Sequence, residues 1–292
     1  MNLPLSEDLR PGGAIRQVLE ADPPRATRFI VTIYGDAVVP RGGTLWMGTL
    51  IECCAWHGLS ESLVRTAVSR LVGAGRLVGD RIGRKSYYRL TEAARGEFAH
   101  AARLLYAPPQ QPEGWMLLIG APDDGCDRPW ASLGQGQWIA PARCDLTMPP
   151  GIAMAGDAIA GEGALPDLAH RLWPLAEVAQ AYQDFIDGFT PVLDRIEAGQ
   201  TPGGAGALAL RLRLVDAYRQ AALADPRLPA GALPGGWPAQ SARRLFGRIY
   251  LALASAADAH IGDSFFDSEG TLPARSAETD QRLALLRAEV SV

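Results

Sequence analysis

Between Ser60 and Leu71 the apolar residues Val64, Ala67, Val68 and Leu71 recur at the spacing that lays one stripe along a helix. Ser60 stands where an N-cap belongs, and Gly73 and Gly75 break the pattern. Upstream, residues 25–39 predict a first helix. Leu45, Leu50 and Ile51, with Trp46 and Met47, predict a second one, which the turn around Gly58 ends. Downstream, residues 76–82 and 87–90, joined through Gly83-Arg84-Lys85, predict a short β-ribbon with a basic tip. Helix, helix, helix and hairpin in this order predict a winged helix-turn-helix, and Thr91 predicts the cap of a long helix over 92–106.

Pro108-Pro109-Gln110-Gln111-Pro112 then reads as a proline-stiffened linker. Beyond it, 115–119 predicts a buried strand, 127–133 a short helix, and 137–139 and 144–148 further strands, a small α+β domain of the ferredoxin-like type. From Leu172 onward the period is helical, with Leu175, Val178, Tyr182, Phe185, Ile186 and Phe189 on one side of the first helix. The expected fold class is therefore α+β, mainly helical. It comprises an N-terminal arm (1–24), a winged helix-turn-helix (25–107), a ferredoxin-like middle domain (114–170) and a helical C-terminal domain (171–292).

The stripe of the helix after Ser60 leaves Ser62, Arg65, Thr66, Ser69 and Arg70 on its other face, side-chain types that reach base edges and phosphates from a major groove. Arginines on an amphipathic helix also serve simply as its wet face. The following hairpin decides for double-stranded DNA. Arg65, Arg70, Arg76, Arg81, Arg84, Lys85 and Arg89 stand against the single acid Asp80, a local reversal of sign in a chain of net charge −4. Arg84 and Lys85 are expected to clamp phosphate from the wing. Arg41, beside Gly42-Gly43, admits two readings: a contact to the DNA backbone, or a simple turn.

The remaining composition narrows the classes. A 48% apolar content with both charge signs excludes disorder as the default. No apolar run approaches a membrane span and the N-terminus carries no signal-peptide pattern, so a cytoplasmic protein without membrane contact is expected. Cys53, Cys54, Cys126 and Cys144 show no spacing for zinc or a disulfide framework, and His57, His100, His170 and His260 are scattered. Neither a resident metal nor a cofactor is expected.

The chain resembles the PaaX family of bacterial transcriptional repressors, which control phenylacetic acid degradation. The resemblance rests on Gly35-Asp36, Arg41-Gly42-Gly43 and Trp46; on Val64-Arg65-Thr66-Ala67 with Ser69-Arg70-Leu71; and on Gly83-Arg84, Ser86, Tyr88, Leu90 and Thr91. Later segments add Trp173, Tyr182, Phe185, Tyr218-Arg219, Asp225-Pro226, Leu228-Pro229, Leu233-Pro234, Trp237-Pro238 and Ala242-Arg243. The resemblance implies a middle domain shaped like a CRISPR-associated Cas2 protein, a homodimer, and release of operator DNA by phenylacetyl-coenzyme A or a related aryl-acyl-coenzyme A. Arginines and aromatics suit the two ends of such a thioester. Arg213, Tyr218, Arg219, Trp237, Arg243 and Arg244 are the candidates for it, with Arg211, Arg248 and Tyr250 nearby; arginines of this kind also build ordinary helix-packing salt bridges. The middle segment departs from the family in offering Asp127-Arg128-Pro129-Trp130 in place of a run of paired arginines, which bears on the effector more than on the fold.

Two enzyme readings compete with this one. Gly204-Ala-Gly206-Ala-Leu-Ala209 has the spacing of a dinucleotide loop, but a helix is predicted where a strand would have to deliver it. Asp123-Asp124, after the strand at 115–119, fits a metal-dependent Cas2-like nuclease, and equally an acidic turn.

Overall fold

A computed structural model describes residues 13–122, 126–143 and 145–290. The helix α1 (Ala14–Glu20) precedes α2 (Ala26–Ile33), whose end unwinds through a π-turn (Tyr34–Val38) and a 3₁₀ turn (Val39–Arg41). Then come β1 (Thr44–Trp46), α3 (Met47–Ala55), α4 (Glu61–Gly73), β2 (Leu77–Ile82), β3 (Lys85–Leu90) and α5 (Glu92–Tyr106). The strands β4 (Trp115–Ile119), β5 (Ala131–Gly134), β6 (Gln137–Pro141) and β7 (Ile152–Gly156) follow. The chain continues with α6 (Leu165–Leu172), α7 (Leu175–Glu197), α8 (Gly204–Ala224), α9 (Ala239–Ser264) and α10 (Ala277–Val290). The architecture is mixed α and β, mainly helical.

Two compact units divide these elements. The larger comprises Met1–Ala107, Asp184–Arg219 and Ser241–Val292; the smaller comprises Pro108–Gln183 and Gln220–Gln240. The C-terminal helical region is thus shared between the units, and the first boundary falls where the proline run begins.

In the larger unit α2 and α3 both pack against α4, closing a core around Phe29, Ile30, Leu50, Cys53, Val64, Val68 and Leu71, all nearly inaccessible. Ser60 caps α4 by accepting from the Leu63 amide at 3.4 Å. The other end closes on Gly75 in the left-handed region (φ 67°), with the Gly75 and Arg76 amides donating to the Val72 and Leu71 carbonyls at 2.9 Å each. Three antiparallel strands in the order β1-β3-β2 follow. β1 corrects the expectation for Leu45 and Trp46: they are strand, paired with Tyr88 and Tyr87, and the helix begins only at Met47. A three-residue strand that buries only Leu45 is too short to show a period.

A buried ion cluster lies in the same unit. Asp36, in the π-turn, accepts from Tyr106 Oη at 3.0 Å and Tyr250 Oη at 2.8 Å, and its second oxygen lies 2.9 Å from Arg211 Nε. Asp258 Oδ1 receives both Arg211 at 2.6 Å and Arg41 at 2.7 Å. Burial raises the Asp36 carboxyl, but Arg211, Arg282, the Tyr250 hydroxyl and Arg41 outweigh it and hold the group below the usual carboxylate range.

The smaller unit is built on a four-stranded antiparallel sheet in the order β5-β6-β4-β7. Trp115, Ile139, Trp173, Leu175 and Leu228 form one cluster, and Leu118, Trp130, Trp138 and Ala140 another. Buried indoles are anchored: Trp173 donates to the Pro129 carbonyl at 2.8 Å and Trp130 to the Thr147 carbonyl at 3.0 Å. Two expectations are corrected here. Residues 131–133, predicted as helix, belong to β5 because they pair with β6. The strand predicted at 144–148 is not formed at 145–148, and Cys144 lies outside the described residues; the strand occurs later, as β7. Register places Leu117 opposite Met154 and Ile119 opposite Ile152, and all four are exposed.

Candidate nucleic-acid interface

The packing of α4 sorts its side chains, with the apolar Leu63 and Val72 left exposed beside the polar ones. Val64, Ala67, Val68 and Leu71 are buried, while Ser62, Arg65, Thr66, Ser69 and Arg70 are all exposed on the opposite side. Five candidates predicted from the sequence therefore share one face of one capped helix. Arg65 is held by Glu61, one helical turn back, at 2.7 Å, with both side chains more than half exposed. A solvent-facing pair of this kind is worth about 0.3–0.5 kcal/mol, whereas a bidentate arginine–guanine contact is worth about 1–3 kcal/mol. A base can therefore displace Glu61. Thr66 donates to the Ser62 carbonyl at 2.9 Å, a bond it can keep while its methyl faces outward.

The hairpin stands beyond the helix. Ile82 pairs with Lys85, so Gly83 and Arg84 form the tip, with Gly83 at φ 62° supplying the conformation a two-residue turn needs. Arg84 is exposed there, and the Lys85 ammonium lies 4.7 Å from the centre of the Trp46 ring on β1. Arg76 pairs with Glu97 and Arg89 with Asp80, both across exposed surface.

Arg41 has another role than the exterior contact allowed for it. The residue is 3% exposed, and its guanidinium is bonded to Asp258, the Ala37 carbonyl at 2.9 Å and the Ala274 carbonyl at 3.2 Å. It belongs to the interior cluster.

Several arginines proposed for an effector are likewise committed inside the larger unit. Arg243 is 3% exposed; it grips Glu289 at 2.7 and 2.9 Å and donates to the Leu105, Tyr106 and Ala107 carbonyls, closing the end of α5. Arg213 does the same for α1 through the Val18, Ala21 and Asp22 carbonyls. Tyr218 is buried, stacked on Phe246 with ring centres 4.3 Å apart. Arg244 is exposed, and Arg219 is half-buried with its guanidinium 3.4 Å from Thr32 Oγ1. Trp237 belongs to the smaller unit, where it donates to Asp225 at 3.4 Å.

The sequence reading missed a cleft of about 780 Å³ between the first turn of α2 and α4, to which Arg25, Arg28, Arg70, Arg76 and Arg219 contribute. A signal existed in the arginines flanking Ala26-Thr27, but no spacing links them to residue 219. Asp123 and Asp124 lie outside the described residues, and among the described residues no cluster of His, Cys, Asp or Glu is able to hold a metal ion. Gly204 opens α8 after the helix α7, so the glycine pattern there joins two helices. No helix of the described residues is long and apolar enough to cross a membrane.

Two family models match this sequence, one described as PaaX-like protein over residues 25–94 and one as PaaX-like protein C-terminal domain over residues 173–263. The Transcriptional repressor PaaX of Escherichia coli (strain K12) is 30% identical over 303 residues, covering 94% of this chain and 95% of that protein. Among solved structures, an uncharacterised protein from Mycobacterium tuberculosis is 24% identical, covers 73% of this chain and 90% of its own, and superposes with a TM-score of 0.39.

Proposed function

The chain belongs to the PaaX family, and from that premise we propose that it is a DNA-binding transcriptional repressor released from its operator by an aryl-acyl-coenzyme A. It is a regulator and not an enzyme. The observation that carries the DNA reading is the division of α4: an apolar side locked into the core and a polar, cationic side turned wholly outward. The hairpin tipped by Arg84 supports reading residues 25–107 as a winged helix-turn-helix. The strand order of the smaller unit supports a ferredoxin-like sheet.

In this reading Ser62, Arg65, Thr66, Ser69 and Arg70 enter the major groove while Arg84 and Lys85 hold phosphate. One such helix spans too few base pairs for useful specificity, so the operator is read by a homodimer on two half-sites. By extension from the family, the regulated genes serve phenylacetate catabolism and the effector is phenylacetyl-coenzyme A.

A useful switch needs a ligand that favours the DNA-free form about 100-fold, roughly 2.7 kcal/mol. Linkage then requires operator DNA to weaken the ligand by the same factor. Calorimetry with phenylacetyl-coenzyme A, phenylacetate and coenzyme A, each with and without DNA from the promoter beside this gene, tests both halves. Of the three, the thioester is expected to bind the most tightly, and to bind less tightly in the presence of DNA. Equal affinity in both titrations would overturn the effector, and failure to retard promoter DNA over random duplex would overturn the repressor reading.

A further inference from the structure

The cleft between α2 and α4 carries five arginines and no acidic residue among its lining side chains. Neighbouring acids reach it from outside: Asp216 accepts from Arg28 at 2.9 Å, and Glu97 pairs with Arg76 at 3.0 Å. Arg219, on α8, is half-buried, and its guanidinium is pushed below the ordinary arginine range by burial and by the like charges of Arg28 and Arg76, against the opposing pull of Asp216 and Tyr106. Gathering like charges where water is partly excluded is unfavourable, and an anion seated among them offsets the cost.

Shape and lining narrow the ligand. A volume of about 780 Å³ lies in the range of small-molecule sites, and Pro23, Val31, Leu59 and Leu63 give it an apolar wall. A duplex backbone laid along α4 presents single phosphates to exposed side chains; it does not fill a concavity with an apolar wall. The combination suits a phosphate-bearing small molecule with an apolar portion.

Position adds the functional step. Thr66 and Arg70 line this cleft and also belong to the outward face of α4. We infer that the cleft is a binding site for a phosphate-bearing small molecule, and that its occupant competes with DNA directly by taking Thr66 and Arg70. The competition rests on the reading of α4 as the DNA-contacting helix; the anion site does not. Release of DNA on this view needs no long-range change of conformation, because the two ligands share side chains.

The test uses the full chain, with inorganic pyrophosphate, coenzyme A and phenylacetyl-coenzyme A as probes in calorimetry. The variants are Arg219→Gln, at the cleft but off the outward face of α4, and Arg25→Gln, an exposed position whose loss leaves the core intact. Each variant is expected to weaken the phosphate-bearing probes about tenfold, the worth of one charge-assisted hydrogen bond. Both should retain promoter-DNA affinity within a few-fold, and probe and DNA should displace one another in the parent chain. Absence of binding by every probe at millimolar concentration overturns the site, as does probe binding unchanged in both variants. Equal loss of DNA and probe in Arg219→Gln assigns the cleft to the DNA backbone and overturns the small-molecule proposal. Simultaneous tight binding of probe and DNA overturns the competition. Probe binding through Arg219 in a chain that binds no DNA supports the anion site while removing the DNA reading.

Discussion

His57 is 3% exposed in the turn between α3 and α4, and neither ring nitrogen has a hydrogen-bond partner among the described residues. Phe29 meets it edge-on with ring centres 4.5 Å apart. Burial, reinforced by the charge of Arg213, pushes its pKa down to about 3. The unfolded chain takes up this proton near pH 6.5, the folded chain only near 3, so the contribution is complete above 6.5 and is lost as pH falls between these values. Urea unfolding of the parent and His57→Leu across that window should show the parent losing up to about 1.4 kcal/mol per pH unit relative to the variant. Parallel pH profiles would show that the imidazole charges freely in the folded state. Arg41 gives a second residue-scale test. Arg41→Gln removes one of the two guanidiniums on Asp258, leaves Arg211 in place and strips the Ala37 and Ala274 carbonyls of a donor, and should cost about 1–3 kcal/mol in urea unfolding. DNA binding by the folded variant should keep the parental salt dependence, since the guanidinium faces Asp258 and Ala274. A shallower dependence would return Arg41 to the DNA.

At the scale of elements, α4 and the hairpin make separable predictions. Arg65→Ala, which also frees Glu61, should weaken promoter binding by about 1–3 kcal/mol and relax base choice at one position, measured by gel-shift titration against a panel of mutated sites. Unchanged affinity would remove Arg65 from the reading set. Changing Arg84 and Lys85 together to alanine should weaken specific and random duplex alike, and lower the slope of log affinity against log salt by about 0.9 per lost phosphate contact. Retention of the full slope would mean that the hairpin points away from DNA. The elements behind these predictions were legible in the sequence because each carries its own local signal: a cap at Ser60, a stop at Gly75, a glycine at the hairpin tip. β7 was not legible, since Ile-Ala-Met-Ala-Gly shows no alternation and all five residues are exposed. Nor was the commitment of Arg41, Arg213 and Arg243 to backbone carbonyls within the larger unit. Each has at least one partner more than 130 residues away in the chain, and composition gives an arginine no mark that distinguishes interior from surface.

For the whole molecule, the proposed reading of two half-sites calls for two copies, and the exposed Leu117, Ile119, Ile152 and Met154 form the kind of apolar strip that an assembly covers. Light scattering is expected to give a dimer, and incubation with duplex and magnesium is expected to leave the DNA intact; a monomer, or chelator-sensitive nicking abolished by Asp124→Ala, would contradict these expectations. The ion cluster around Asp36 has a consequence for the chain as it is made. Arg211, Tyr250, Asp258 and Arg282, which surround the Asp36 and Arg41 side chains, all lie toward the C-terminus. At about 5–20 residues per second, the ribosome needs roughly 10–40 s after residue 107 to deliver the last helix. Throughout that interval α4 lacks the charges that fix the end of α2, against which it packs. A nascent or prematurely terminated chain therefore carries Ser60–Gly73 on an unfinished support, and on the proposed reading operator recognition is expected only once residues up to Arg282 have been made.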